Sequence, residues 1–112
     1  MAIHVRSVGG VEIVPLSGRI THEMGAEARE TILARLEAGK KNFLLHLEGV
    51  RWMETAAIGE MVLALKKVRE KDGEIKVLKP SKMIMDVLFM TRLHTVFPVF
   101  NDEQDAIQSF NP

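Results

Sequence analysis

Residues 43–59 read FLLHLEGVRWMETAAIG, and they decide how the chain folds. The stretch opens with a nearly continuous apolar run, Phe43 to Leu47, which is typical of a β-strand covered on both faces. It ends in ETAAI at residues 54–58, and apolar residues at helical spacing follow at once. Because a strand-to-helix turn lies at the surface, we predict an exposed hydroxyl at Thr55.

Length and composition indicate one domain spanning residues 1–112. A chain of this length, with 46% hydrophobic residues, can build a single core but not two. Fifteen basic and fifteen acidic side chains cancel, which disfavours direct binding to nucleic acid. The apolar runs fall short of the roughly twenty residues of a membrane helix, so no membrane insertion is expected.

The chain contains no cysteine. This excludes disulfides, thiol catalysis and thiolate metal sites, and it is typical of proteins in a reducing compartment. The N-terminus lacks the basic-then-apolar order of a secretion signal. We therefore predict a cytoplasmic protein.

The remaining patterns predict the element order ββαβαβαβα. Such an order is typical of the α/β class, here a mixed central sheet of about four to five strands covered by about four helices. A Gly9-Gly10 pair favours a hairpin turn, because glycine accepts positive φ angles. The predicted elements are strands at 3–8 and 11–16, a helix from Thr21 (N-cap) to Gly39, a strand at 43–47, a helix from the turn to Gly73, a strand at 75–78, a helix from Ser81 to Met90, a strand at 96–100 and a helix from Asp102 to Phe110.

Motifs for catalysis, metal binding and cofactor binding are missing from the sequence. The histidines are scattered, and no two stand four residues apart on one helix as paired metal ligands would; they are His4, His22, His46 and His94. His46 is predicted to be a core or interface imidazole. The turn at Thr55 lacks the G-x-S-x-G elbow of hydrolases, and Gly9-Gly10 does not precede a helix as a phosphate-binding loop does. We expect no enzyme activity and no cofactor.

Thr55 has two interpretations on local grounds. In the first, its hydroxyl only caps the following helix. A reciprocal capping box is absent, however, since Ile58 stands where Glu or Gln would sit. Capping also leaves Glu54 and the small Ala56-Ala57 pair unexplained. In the second interpretation the hydroxyl is a binding contact or a modification site, and the small residues let another protein approach the backbone.

Residues 45–59 resemble the signature of the STAS family, the anti-sigma-factor antagonists, in which an apolar strand and a short loop lead to M-D-S-[ST]-G-L-G. Gly18 resembles the glycine of the family's L-x-G-x-L-D, which enters its first helix. Residues 90–93, Met-Thr-Arg-Leu, resemble its M-S-G-L. The resemblance covers essentially the whole chain, and it implies the same order of elements.

By this resemblance Thr55 stands at the family's phosphorylated Ser or Thr, and Glu54 at its usual Asp. The resemblance implies a cycle: an anti-sigma serine/threonine protein kinase binds the domain and phosphorylates it, and a metal-dependent protein phosphatase restores the binding form. It also implies a set of partner-binding residues: Thr21, Glu54, Ala56, Ala57, Ile58 and Gly59. The chain departs from the family where Ala57 replaces a glycine, Ala56 a second hydroxyl residue and Thr21 an Asp.

Two other functions stay open: a non-switched STAS scaffold subunit of a signalling complex or membrane transporter, and a small-ligand or nucleotide-binding α/β domain using a pocket beside the turn.

The segment Met83–Met90 is apolar nearly all round. It is either a helix sunk between the sheet and the terminal helix, or an exposed patch that contacts a partner or forms a homodimer. Trp52 has the same two interpretations: it either packs under the loop or is exposed as an anchor residue for a partner.

Overall fold

The computed structural model describes residues 3–111; residues 1, 2 and 112 of the predicted single domain lie outside the described residues. Five strands form one sheet in the order β1-β2-β3-β4-β5. The predicted α/β fold and its element order are confirmed, with one short 3-10 helix added at Leu93–Thr95. The elements are β1 (Arg6–Val8), β2 (Val11–Ile20), α1 (His22–Glu37), β3 (Asn42–Met53), α2 (Thr55–Glu70), β4 (Glu74–Leu78), α3 (Lys82–Met90), β5 (Val99–Phe100) and α4 (Glu103–Gln108).

The sheet is mixed, as predicted. β1 pairs antiparallel with β2, and Val8 lies opposite Val11. Gly9 and Gly10 between them have φ angles of 56° and 80°, so both occupy the left-handed region that the tight hairpin turn requires. The other neighbouring strands are parallel, and an α-helix crosses between each successive pair.

Helices cover both faces of the sheet. Phe43, Leu45 and Leu47 of β3 belong to the larger core cluster, which also contains buried residues of α1, α2 and α3. Leu44 points to the opposite face, where the smaller cluster includes Ala106 of α4. The prediction of a strand covered on both faces is therefore confirmed. His46 is half-buried, with Nε2 4.0 Å from Glu48 Oε1.

A buried carboxylate ties the hairpin to α1. Glu12 is fully buried in β2; its carboxylate accepts hydrogen bonds from Ser7 Oγ at 2.5 Å and from Arg35 Nη1 at 2.6 Å. Burial raises the pKa of Glu12, but the hydrogen bonds from Ser7 and Arg35 outweigh it, so the net pKa is lowered. The buried charge is thus paired and hydrogen-bonded, as its burial requires.

The last predicted strand, at 96–100, is wrong in extent. Only Val99 and Phe100 pair with β4, while Leu93–Thr95 form the 3-10 helix and Phe97 is buried in the larger core. Pro98 explains the difference, because its nitrogen has no hydrogen to donate to a strand neighbour. The Pro98 carbonyl still accepts from Val77 N–H at 2.9 Å.

The first turns of α1 and α2 touch at a pair of small residues. A Cβ built on Gly25 would lie 2.8 Å from Ala57 Cα and 2.9 Å from Ala57 Cβ, closer than atoms can pack. Ala57 itself is completely buried. Glycine at 25 and alanine at 57 therefore set how closely the two helices approach.

Candidate functional site

Two helix N-termini lie side by side at one edge of the sheet. β2 and β3 are parallel, with Ile20 opposite Met53 at their carboxyl ends. One residue later each strand has become a helix, through Thr21 into α1 and through Glu54 into α2. The carboxyl edge of a parallel sheet is where α/β proteins place their binding sites.

The two helices begin differently. Thr21 is the N-cap of α1, as predicted, and its Oγ1 accepts the Met24 N–H at 3.3 Å. Thr55 is not a cap, so that interpretation is wrong. Glu54 takes the N-cap position of α2, its carbonyl accepts the Ile58 N–H at 3.2 Å, and Thr55 is the first helical residue.

The Glu54 carboxylate serves the other helix. Its Oε2 accepts the backbone N–H of His22 at 2.5 Å, and among the described residues it makes no cap hydrogen bond to α2. Free N–H groups and the helix dipole favour a negative charge at that position. The α1 N-terminus is thus capped by Thr21 and Glu54 together, and α2 begins with the uncharged Thr55-Ala56-Ala57.

The Thr55 side chain is free at the surface. Thr55 is exposed, and its hydroxyl forms no hydrogen bond to any residue between 3 and 111. Ala56 and Gly59 are exposed beside it, and Ile58 is half-buried. An exposed, unbonded hydroxyl at the start of a helix is open both to a docking protein and to chemical modification.

Ala57 does not contribute a side chain to this surface, contrary to the prediction. Its exposed fraction is 0%, and its methyl group faces the position where Gly25 lacks a side chain. The correction has a simple cause, since α2 must turn one side of its first turn toward α1. Ala57 acts on the surface only by holding α2 close to α1.

An ion pair joins the same two helices behind the turn. Arg29 Nε lies 2.6 Å from Glu60 Oε2, and His22 Nε2 lies 3.5 Å from Glu60 Oε1. The hydrogen bond from Arg29 lowers the pKa of Glu60, against an opposing effect of desolvation. The Glu60 side chain is only 12% exposed, so this carboxylate lies largely within the contact between α1 and α2.

The α3 segment divides between the two alternatives that the sequence left open. Ile84 and Leu88 are buried in the larger core, whereas Met83, Phe89 and Met90 are 54%, 53% and 83% exposed. α4 packs on the opposite face of the sheet, so α3 is not sunk against the terminal helix.

Trp52 stands at the surface close to the turn. It is 37% exposed, and Arg19 lies over its ring, with Cζ 4.8 Å from the ring centroid. Arg19 of β2 is the register partner of Trp52 in β3. The arginine fixes the ring in place by a cation–π contact, and part of the ring stays available to a ligand or partner.

The family identity follows from comparison with known proteins. A model of the STAS domain matches residues 2–106. The chain belongs to the STAS domain family. It is 24% identical over 99 residues to the anti-sigma F factor antagonist of Paenibacillus polymyxa, which covers 88% of this chain and 85% of that protein.

Solved structures share the fold of this STAS domain. TM1081 of Thermotoga maritima superposes with a TM-score of 0.90 at 18% identity, over 98% of this chain and 95% of the other. The Bacillus cell fate determinant SpoIIAA, solved in its phosphorylated form, superposes with a TM-score of 0.76 at 17% identity, over 96% of this chain and 98% of the other. At these identities the likeness establishes the fold.

The STAS domain brings most of the predicted site residues together at one edge. Thr21, Glu54 and Thr55 meet where α1 and α2 begin. Sequence reasoning missed His22, Arg29 and Glu60, because their contacts join separate helices and leave no spacing pattern. Within residues 3–111 no group of His, Asp and Glu side chains could hold a metal ion, and no helix there could cross a membrane.

Proposed function

We propose that this STAS domain is a cytoplasmic, non-enzymatic anti-sigma-factor antagonist that binds an anti-sigma serine/threonine protein kinase and is switched off by phosphorylation at Thr55. One observation carries the proposal. The Thr55 hydroxyl is exposed, unbonded to the described residues, and is the first helical group of α2. The family membership supports the choice of partner.

The fold tolerates a phosphate at this position. Transfer of the γ-phosphoryl group of ATP to Thr55 Oγ1 places a charge close to −2 at a helix N-terminus, next to free backbone N–H groups. The Glu54 carboxylate does not occupy that end of α2, because it accepts the His22 N–H of α1. Phosphorylation therefore leaves the fold intact.

Docking, by contrast, is sensitive to the phosphate. The partner surface consists of Thr21, Glu54, Ala56 and Gly59 around Thr55, with the half-buried Ile58 behind them. The exposed members at the start of α2 are small, so a partner can lie flush against the helix. A dianion beside Glu54 would then be desolvated without a counter-charge, which is strongly unfavourable. A metal-dependent protein phosphatase restores binding by hydrolysing the phosphothreonine.

The test compares the wild type with two variants at position 55. With the cognate kinase and ATP, we expect Thr55→Ala to bind the kinase and to incorporate no phosphate. We expect Thr55→Glu to bind at least about tenfold more weakly, or about 1.4 kcal/mol, measured by calorimetry. The control is Thr95→Glu, at an exposed threonine whose hydroxyl donates to the Arg92 carbonyl. Thr95 is next to Val96, whose carbonyl accepts from Arg69 in the C-terminal half of α2.

Two results would contradict the proposal. Phosphate incorporated into Thr55→Ala would remove Thr55 as the acceptor. A stable complex that is indifferent to Thr55→Glu would support the alternative of a non-switched scaffold subunit.

A further inference from the structure

An apolar cavity of about 120 Å³ lies between the sheet, α2 and α3. Its inner wall is formed by buried core residues, and its outer wall by residues near the start of α2 and on α3. The inner wall includes Leu45, Met61, Ile84, Leu88 and Phe97. This space is distinct from the partner surface around Thr55, although Ile58 of α2 lines it.

The chemistry of the wall disfavours water and ions as occupants of the cavity. A buried water molecule needs two to four polar partners. Among the described residues that line the cavity, Trp52 alone carries an N–H or O–H group on its side chain, and the others are aliphatic, thioether or phenyl groups. Such a wall gives a water molecule few hydrogen bonds and offers an ion no counter-charge.

The cavity is accessible from solvent. Trp52 and Met83 line it and are 37% and 54% exposed; Val87 lines it and is half-buried. Methionine side chains are flexible and adapt to irregular shapes, so Met83 can move aside for a ligand. The size also suits a ligand, because an apolar cavity of about 150 Å³ binds benzene or xenon.

We propose that this cavity is a binding site for a small, uncharged, apolar molecule about as large as one aromatic ring. The proposal rests on the wall chemistry, the volume and the partial exposure of Trp52 and Met83 in the wall. It does not depend on the proposed function, because binding is measured on the isolated chain without a kinase.

The experiment titrates the isotopically labelled protein with benzene and follows backbone amide shifts by NMR. We expect saturable shifts confined to residues that line the cavity. Val87→Phe, which places a ring inside the cavity, is expected to weaken benzene binding at least tenfold. The matched control is Val62→Phe, which adds the same ring on the exposed face of α2 at a valine that is 38% exposed and lies outside the cavity wall, and it is expected to bind like the wild type.

Unsaturable shifts spread over the surface would overturn the proposal, as would equal binding by the wild type and Val87→Phe. If Val87→Phe does not fold, Val87→Ile replaces it, because the cavity beside Val87 can take one added methylene without the overpacking that destabilises a filled core. We then expect benzene affinity to fall about threefold, and unchanged affinity would contradict the site. The benzene titration is independent of the kinase-binding test, so its outcome stands whether or not Thr55→Glu loses kinase binding.

Discussion

The two helix N-termini at the carboxyl edge of the sheet are built in opposite ways. Two side chains accept hydrogen bonds from the start of α1. Thr21 Oγ1 accepts the Met24 N–H, and Glu54 Oε2 accepts the His22 N–H. α2 starts beside it at the same edge, with an exposed threonine and two alanines. Side-chain caps stabilise a helix end and occupy it at the same time. The contrast shows that side chains close the start of α1 and leave the start of α2 open, which is what the proposed function requires of it.

The largest effect is expected where the two helices meet. Gly25→Ala would place a Cβ 2.8 Å from Ala57 Cα, and overpacking against backbone typically costs about 1–3 kcal/mol of unfolding free energy. Chemical denaturation measures the change. Gly59→Ala is the matched control, because a Cβ at Gly59 meets nothing within 4 Å. Alanine there should stabilise α2 by up to about 1 kcal/mol; equal losses in both variants would show that the helices do not touch at Gly25.

The same substitution at the two helix starts separates a cap from an open end. Thr21→Ala removes the acceptor for Met24 N–H, and we expect a loss of about 1 kcal/mol in unfolding free energy. Thr55→Ala removes a hydroxyl that bonds to none of residues 3–111, so the change should stay within about 0.5 kcal/mol. Urea denaturation of both variants, at one pH and ionic strength, makes the comparison. A larger loss at Thr55 would reverse our assignment of the two ends.

A negative charge at the open end should stabilise the domain slightly. Thr55→Glu places a carboxylate at the start of α2, where the helix dipole favours it by about 0.3–1 kcal/mol at low ionic strength. The gain should shrink in high salt, because the charge is exposed and screened. Thermal unfolding at two salt concentrations tests this. Destabilisation by Thr55→Glu would mean that repulsion from Glu54 dominates, and that α2 is not a favourable site for phosphate.

The smallest effect concerns pH. Folding lowers the pKa of Glu60 from its ordinary value of 4.5, chiefly through the hydrogen bond from Arg29. The unfolded chain therefore takes up the proton more readily, so the stabilisation is present above about pH 4.5 and is lost as pH falls through the lower folded pKa. Glu60→Gln should flatten this part of the acid-unfolding curve. An unchanged curve, with Glu30→Gln at an exposed glutamate of α1 as the control variant, would argue against the ion pair between α1 and α2.

Local sequence signals predicted most of the fold. The glycine pair gave the hairpin, and Thr21, Ser81 and Asp102 are the observed N-caps of α1, α3 and α4. Each of these features depends on a few neighbouring residues, so a single sequence is enough to find it. The exposed position of Thr55 followed from the strand-to-helix turn in the same way.

The features that sequence reasoning missed depend on contacts between distant segments. The cap interpretation placed the N-cap of α2 at Thr55, one residue after the observed cap Glu54, because Glu is an uncommon N-cap type. The Glu54 carboxylate is engaged by α1 rather than by α2. Ala57 was placed on the surface because nothing in its own helix shows that it faces Gly25. Tertiary packing decides such positions, and the periodicity of one helix does not contain that information.

The shortness of the outermost strands limits how this domain can meet other chains. β1 spans three residues and β5 only two, and they form the two borders of the sheet. A border that short offers few backbone groups for a foreign strand to continue the ladder. Edge-to-edge pairing of folded copies through the sheet is therefore disfavoured. Under the proposed function, a partner docks on helices and turns, where a change of a single side chain can decide whether it stays bound.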